Sequence, residues 1–215
     1  MTVKLTVELT EVVTTEAQFR AVTGNPTARV LKKHLQLAAL DQHCRAFIEK
    51  CPFLLISSCD ASGNMDISPK GDPPGFVRVL DDKTLAIPDR PGNRRADTFR
   101  NILENPRVGL LFLIPGKQET LRMSGTATIV RDHWIREPMS VAGKLPEFAI
   151  VVRVDEVFFH CAKCVIRSKL WDSASWPDIA DLPNHAQLIV EQGKLDMSVE
   201  QIHAKIQQDE RERLY

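Results

Sequence analysis

The sequence predicts a mainly β fold with some α, an antiparallel β-barrel carrying helical extensions at its N- and C-terminal ends. Three observations predict it. Seven short apolar runs between residues 53 and 159 are separated by turn-forming residues. One amphipathic helix crosses among them, whereas a parallel sheet would need a helix after nearly every strand. Helical spacing of apolar residues is otherwise confined to the first fifty residues and the tail.

Taken in order, Thr15 is placed to cap a helix over Glu16 to Val22, which Gly24-Asn25-Pro26 ends. A second helix is predicted over Thr27 to Leu40, where Val30, Leu31, Leu35, Leu37 and Ala38 recur near helical spacing. Asp41 caps a third, with Cys44, Phe47 and Ile48 on one face. At Pro52 the pattern turns to strand. Phe53 to Cys59 is closed by the hairpin-type turn Asp60-Ala-Ser-Gly-Asn64, and Met65 to Pro69 returns. The stiff loop Gly71-Asp-Pro-Pro-Gly75 leads into Phe76 to Leu80 and Thr84 to Pro88, which flank a second hairpin turn at residues 81–83. The crossing helix is predicted over Arg94 to Glu104, capped by Asn93, with Phe99, Ile102 and Leu103 facing the core and Asn105-Pro106 stopping it. Arg107 to Ile114, Glu119 to Val130 and Ala149 to Phe159 read as three longer strands. Asp132 to Glu147 is an excursion between strands, and Asp172 to Asp196 a connection containing Pro and Asp. Ser198-Val-Glu-Gln201 forms a capping box for a charged last helix running towards Arg213.

The chain has 215 residues, with 28 Lys and Arg against 28 Asp and Glu, and 43% of it is hydrophobic. This length suits one domain with decorated ends and a sizeable core. Zero net charge argues against a bulk nucleic-acid binder, which needs an excess of cations to displace counterions from phosphates. A local basic pocket remains compatible with it. No run approaches the ~18 consecutive apolar residues of a membrane span. The charged N-terminus has no apolar core of a secretory signal. Five cysteines, an odd number, fit reduced thiols in a cytoplasmic protein.

Chemistry concentrates in Asp89-Arg-Pro-Gly-Asn-Arg-Arg-Ala-Asp97. If Asn93 caps the helix, Arg94 and Arg95 fall in its first turn, where the macrodipole disfavours cations. Arg90 stands just upstream. A phosphate among these groups would relieve their repulsion, accepting bonds from helix N–H groups and guanidinium forks. A solvated basic turn is the other reading that spacing allows. Asp66-Ile-Ser-Pro-Lys70 similarly brings Ser68 and Lys70 to a strand end beside a rigid loop. No G-x-G-x-x-G or G-x-x-x-x-G-K-[ST] string marks a dinucleotide or nucleoside-triphosphate fold. His160-Cys161-Ala-Lys-Cys164 contains one C-x-x-C without the second pair that a structural zinc site wants, so buried thiols and no metal are expected. No Ser/His/Asp or paired-carboxylate arrangement stands out.

Four strings carry a resemblance. They are Asp66 to Leu80, Ile87 to Arg95, Asn101 to Phe112, and Phe158 to Lys163 followed by Arg167 to Trp171. In these the chain resembles the pyridoxamine 5′-phosphate oxidase superfamily, and within it a branch of FMN-dependent enzymes, over Phe53 to about Trp171. The resemblance implies an FMN-binding split β-barrel over residues 51–171. Residues 1–50 are then a helical extension, and 172–215 a connection and helix of the same domain. It implies that Asn93, Arg94 and Arg95 match the string holding the FMN phosphate, and that Lys70 also contacts FMN. Ile87 and Pro88 align with positions flanking the flavin, where this sequence lacks the family's Tyr-Thr pair and has only backbone to offer. Thr120 matches about the position of a family glutamine, with Arg122 close by.

The resemblance also implies a homodimer with FMN at the subunit interface. Lys163, Arg167, Lys169 and Trp171 are candidates for the groups that each subunit lends to its neighbour's site. The activity implied is an FMN-dependent oxidoreductase. Its substrate is expected not to be pyridoxamine phosphate, because no Arg-x-His string follows Trp171 and Arg131-Asp-His133 precedes the last strand. The alternatives that stay open are a non-catalytic flavin- or haem-binding sensor and a deazaflavin-dependent reductase.

Overall fold

The computed structural model describes residues 9–26, 38–92 and 94–215. The chain divides into two compact units, Met1–Leu35 and Gln36–Tyr215. In the first, helix α1 (Glu16–Thr23) starts at a capping box: the Thr15 side chain accepts from the Gln18 N–H while the Gln18 side chain reaches back to the Thr15 N–H. Gly24, at φ 69°, ends it. The helix expected over Thr27 to Leu40 falls mostly outside the described residues, and Ala38, Ala39 and Leu40 are not helical.

The second unit opens with α2 (Gln42–Lys50). The Asp41 carboxylate accepts from the His43 and Cys44 N–H groups, and those bonds hold it below the ordinary carboxylate range. Cys44, Phe47 and Ile48 face inward as expected and form part of the main core. Seven strands follow: β1 (Phe53–Cys59), β2 (Met65–Gly71), β3 (Arg78–Val79), β4 (Thr84–Pro88), β5 (Arg107–Leu113), β6 (Thr120–Val130) and β7 (Ala149–His160). They form one sheet in the order β2-β1-β5-β6-β7-β4-β3, and every neighbouring pair is antiparallel. The end strands β2 and β3 do not pair with each other, so the sheet is split and not closed.

Period-two alternation builds the core. Leu54 and Ile56 of β1, Leu110 and Phe112 of β5, Leu121 and Met123 of β6, and Val152 and Val157 of β7 point to one interior. Helix α2 closes over it, its Phe47 ring meeting Phe159 edge-on at 5.5 Å. The longest pairing, β6 with β7, shifts register between Ser124 and Gly125. There a Cβ on residue 125 would overlap the Arg153 carbonyl oxygen, so only glycine lets the two backbones come so close.

The expected strand Phe76 to Leu80 shortens to β3, because Phe76 and Val77 turn into the core and leave the ladder. The crossing helix is α3 (Asp97–Glu104). Buried Thr98 donates to Asp66 Oδ2 at 3.2 Å and Asn101 to Ser58 Oγ at 3.0 Å, which ties α3 to β2 and β1. Between β6 and β7 lie the one-turn helix α4 (His133–Arg136) and a 3₁₀ turn, Glu137–Met139. After β7 come α5 (Lys163–Ser168), α6 (His185–Gly193) and α7 (Val199–Arg213). α6 corrects the reading of Asp172 to Asp196 as plain connection. Asn184 and Gln187 form its capping box, and it packs on α7, whose Ser198 cap is as expected.

Candidate functional site

A cleft of about 1100 Å³ opens beside edge strand β2. One wall is β2 itself, from Asp66 to Lys70. A second is the segment after β4, residues 89–92 and 94–99, which runs into the start of α3. The third is the loop before β7, Lys144 to Phe148, and the fourth is Arg213, the last residue of α7, with Tyr215 beyond it.

Each wall has a local cause. Lys70 is carried to the strand end by the hairpin turn after β1, where Asp60 Oδ1 accepts from the Ser62 and Asn64 N–H groups, both at 2.9 Å. The third wall is pinned by Arg136, which is 8% exposed. Its guanidinium donates to the carbonyls of Arg131 (2.9 Å), Pro146 (2.7 Å) and Glu147 (3.3 Å). Phe148 then meets Phe99 of α3 edge-on at 5.5 Å and joins the second wall to the third.

The second wall corrects the sequence reading. The helix begins at Asp97 and not at Arg94, because Arg94 (φ 59°) and Ala96 (φ 56°) are left-handed and interrupt the helical path. Such conformations are costly for residues with a Cβ. The first turn therefore carries an acid, Asp97, as the helix dipole prefers, and the two arginines lie in the loop ahead of it. Asn93, expected as the cap, lies outside the described residues; the N-cap position belongs to Ala96, which offers no side-chain hydrogen bond. The start of α3 thus faces the cleft without a side-chain cap.

Most charges around the cleft are engaged. Arg90 donates through Nε to Asp72 Oδ2 at 2.6 Å and through Nη2 to the Met139 carbonyl at 2.8 Å. Arg95 bonds Asp97 at 2.7 Å, and Arg100 of α3 takes that carboxylate's other oxygen. These bonds hold Asp97 below the ordinary carboxylate range. Arg213 pairs with Asp209 at 2.8 Å. Lys70 and Arg94 are left: among the described residues neither has an ion pair or a side-chain hydrogen bond. Asp89 stands near Lys70, and burial pushes its carboxyl above the usual range although Lys70 and Arg90 pull it down. Two cations without an ion pair and an uncapped helix start therefore border one cleft, a combination of the kind that suits an anion.

Residues 40–161 match the family model described as pyridoxamine 5′-phosphate oxidase, more than half of the chain. The chain belongs to the pyridoxamine 5′-phosphate oxidase family. No curated protein matches it. Among solved structures, Group A Streptococcus HupZ is similar at 21% identity, covering 57% of this chain and 94% of its own, with a TM-score of 0.47. A candidate pyridoxamine 5′-phosphate oxidase of Lactobacillus delbrueckii is similar at 20% identity, covering 59% and 98%, also at 0.47. HutZ of Vibrio cholerae, described as a heme storage protein, is 17% identical over 55% and 93%, at 0.40. These likenesses are faint, and the assignment to the pyridoxamine 5′-phosphate oxidase family rests on the family model.

The residues that the resemblance implies as cofactor contacts are placed in different parts of the structure. Lys70, Arg94 and Arg95 line the cleft. Ile87 and Pro88 are buried in β4, paired with Ile150 and Ala149, and neither lines the cleft. Thr120 and Arg122 line a second cavity of about 660 Å³ over β1, β5 and β6, with Leu55, Leu111, Leu113, His160 and Leu170. The Arg122 guanidinium stacks 5.5 Å from the Phe158 ring centroid. Ile67 borders both cavities. Lys163 and Arg167 are exposed on α5, Lys169 is its left-handed C-cap, and none of the three borders either cavity. Trp171 donates from Nε1 to the Lys117 carbonyl at 2.8 Å, in the turn between β5 and β6.

Sequence reading missed Asp72, Asp89, Arg136 and Tyr215. Asp72 and Tyr215 are 143 positions apart, and no local signal joins them. Arg136 had a signal: an arginine on the apolar side of a short helix beside Trp134-Ile135 needs acceptors. Among the described residues no three His, Cys, Asp or Glu side chains gather as a metal site. No described helix is long and apolar enough to cross a membrane.

Proposed function

We propose that the cleft binds FMN by its phosphate and that the protein is an FMN-dependent oxidoreductase acting as a cytoplasmic homodimer. The observation that carries this reading is the pair of unpaired cations, Lys70 and Arg94, around the uncapped start of α3. Lys70 and the N–H groups of α3 take the phosphate oxygens, and Arg94 closes on them from the loop. Its left-handed backbone is the strained geometry expected where a loop is shaped for a ligand. Bound FMN supplies hydride or electron transfer, which the side chains themselves do not perform. The chain's part is to orient the ring beside β2, to hold positive charge near it through Lys70, and to keep Asp89 as a carboxyl that ionises reluctantly.

Self-association is supported by the second cavity. Leu55, Ile67, Leu111, Leu113 and Leu170 form an apolar trough on the outer face of the sheet, and Ile67 is 65% exposed. A second copy covering this trough would complete the ligand site at Ile67, where both cavities meet. Thr120, Arg122 and the α5 segment would lie at that junction. The substrate is one other than pyridoxamine phosphate, since Arg131 and His133 pair with Glu147 and Glu137 and border neither cavity.

The test is the absorption spectrum of the protein titrated with FMN, followed by NADH and NADPH reduction and light scattering. A perturbed flavin band, reduction by a nicotinamide and a dimer mass are expected. An unperturbed flavin band at saturating FMN sinks the reading, and bound FMN that no donor reduces leaves binding without turnover.

A further inference from the structure

The fourth wall of the cleft comes from a part of the chain that no family string covers. Tyr215 is the only tyrosine in the sequence. It is half-buried, and its phenol donates to Asp72 Oδ1 at 2.7 Å. The Asp72 side chain is 2% exposed and receives Arg90 Nε on its other oxygen at 2.6 Å. The Arg90 guanidinium lies 5.4 Å from the Tyr215 ring centroid. Lys144 Nζ, from the third wall, donates to the Tyr215 main-chain oxygen at 2.7 Å. Tyr215 is therefore held at its phenol, at its ring face and at its backbone by residues of the second and third walls and of the loop after β2.

We propose that Tyr215 is a ligand-facing wall of the cleft and the pin that holds the segment after α7 across it, so that it sets how long the bound ligand resides. The residence claim rests on the reading of the cleft as an FMN site. Removing the phenol oxygen leaves one Asp72 oxygen without its donor and frees the segment to swing away, which opens one side of the cleft. Ligand release should quicken while association, governed by the cations, stays the same.

Two measurements on the full chain test this. The first reads the pin without any ligand. As the only tyrosine, Tyr215 alone gives the tyrosinate absorbance band. Its hydrogen bond to Asp72 delays its ionisation above the ordinary value of about 10, against the pull of Arg90. The second follows FMN release by stopped flow. Tyr215→Phe is expected to speed release by on the order of tenfold, with association changed less than about twofold. Tyr215→Trp, which keeps an aromatic ring and adds back a donor, should recover part of the slow release. An ordinary tyrosine titration overturns the pin. Bound FMN released at equal rates from wild type and Tyr215→Phe overturns the residence claim alone. Wild-type protein that takes up no FMN overturns the FMN reading and the residence claim together, while the titration still decides the pin.

Discussion

Neutralising Lys70 and Arg94 tests the proposed phosphate site separately from the proposed ring site. Lys70 is half-buried at the end of β2, and Arg94 is exposed in the loop ahead of α3. A hydrogen bond between a cation and an anion contributes about 1.5–3 kcal/mol, and less where water screens it. Lys70→Gln is therefore expected to cost about 2 kcal/mol of FMN affinity, roughly thirtyfold, and Arg94→Gln about 1 kcal/mol, roughly fivefold. Neither side chain bonds the other, so the double variant should lose about 150-fold. Riboflavin, which has the ring without the phosphate, should change by less than about twofold in every variant. Flavin fluorescence quenching measured against both ligands gives the comparison. Equal losses for FMN and riboflavin would mean that the substitutions disturb the fold or the ring site, and the phosphate argument would fall. Unchanged FMN affinity would refute it directly.

Gly125→Ala places a Cβ on the Arg153 carbonyl in the middle of the β6–β7 ladder, where backbone and not a flexible side chain must yield. Overpacking of this kind costs about 3 kcal/mol, a fall in Tm of roughly 6–12 °C for a chain this long, to be read by calorimetry. Asp89→Asn tests the pH sign. Burial raises the folded carboxyl above its unfolded value, so its stability contribution is fullest below about pH 4 and is lost as pH rises through the folded value. The Asn variant should thus melt at or above wild type near neutral pH, with the gap closing towards acid; a lower neutral Tm refutes the assignment. Cys161 and Cys164, expected from the sequence as buried thiols, are exposed at and just before the start of α5, so thiol alkylation followed by mass spectrometry should label them first. Cys44, buried and pushed up to about 12, should react only on unfolding, and early labelling of Cys44 would contradict its place in the core.

What the sequence disclosed was local. The strand bounds Phe53–Cys59 and Thr84–Pro88 follow from short apolar runs closed by turn residues, and both are as expected. The caps at Thr15, Asp41 and Ser198 work because each needs only a side-chain oxygen within three residues of a free N–H. The start of α3 was misread for a related reason. Asn93 is a good cap by type, but two left-handed residues intervene before the helix, and backbone conformation at Arg94 and Ala96 leaves no mark in residue type. Arg90 was grouped with the phosphate cations because it is close in sequence. Its partner Asp72 lies 18 residues earlier, and that pairing depends on how β2 and β4 end, which only the fold decides. Lys70 and Arg94 were legible as charges, whereas that neither makes an ion pair among the described residues is a property of the assembled walls.

The edge strand β2 borders both the cleft and the trough. β2 ends the sheet, and an edge strand with free N–H and C=O groups invites another strand to add to it. Pro69 sits in that strand, opposite Leu55, and has no N–H to offer, so strand addition along β2 is blocked at its middle. What β2 still offers is its two faces. Asp66, Ser68 and Lys70, the half-buried positions, alternate with exposed Met65, Ile67 and Pro69. The polar set is anchored to α3 through the Asp66–Thr98 bond and leads Lys70 to the cleft. The apolar set carries Ile67 to the border of the trough. A period-two pattern in seven residues thus separates the polar side chains of β2 from its apolar ones, and Ile67 borders both cavities. In the proposed dimer the FMN cleft and the subunit contact would meet at Ile67, and any coupling between them would be reciprocal, each changing the other's affinity by the same factor.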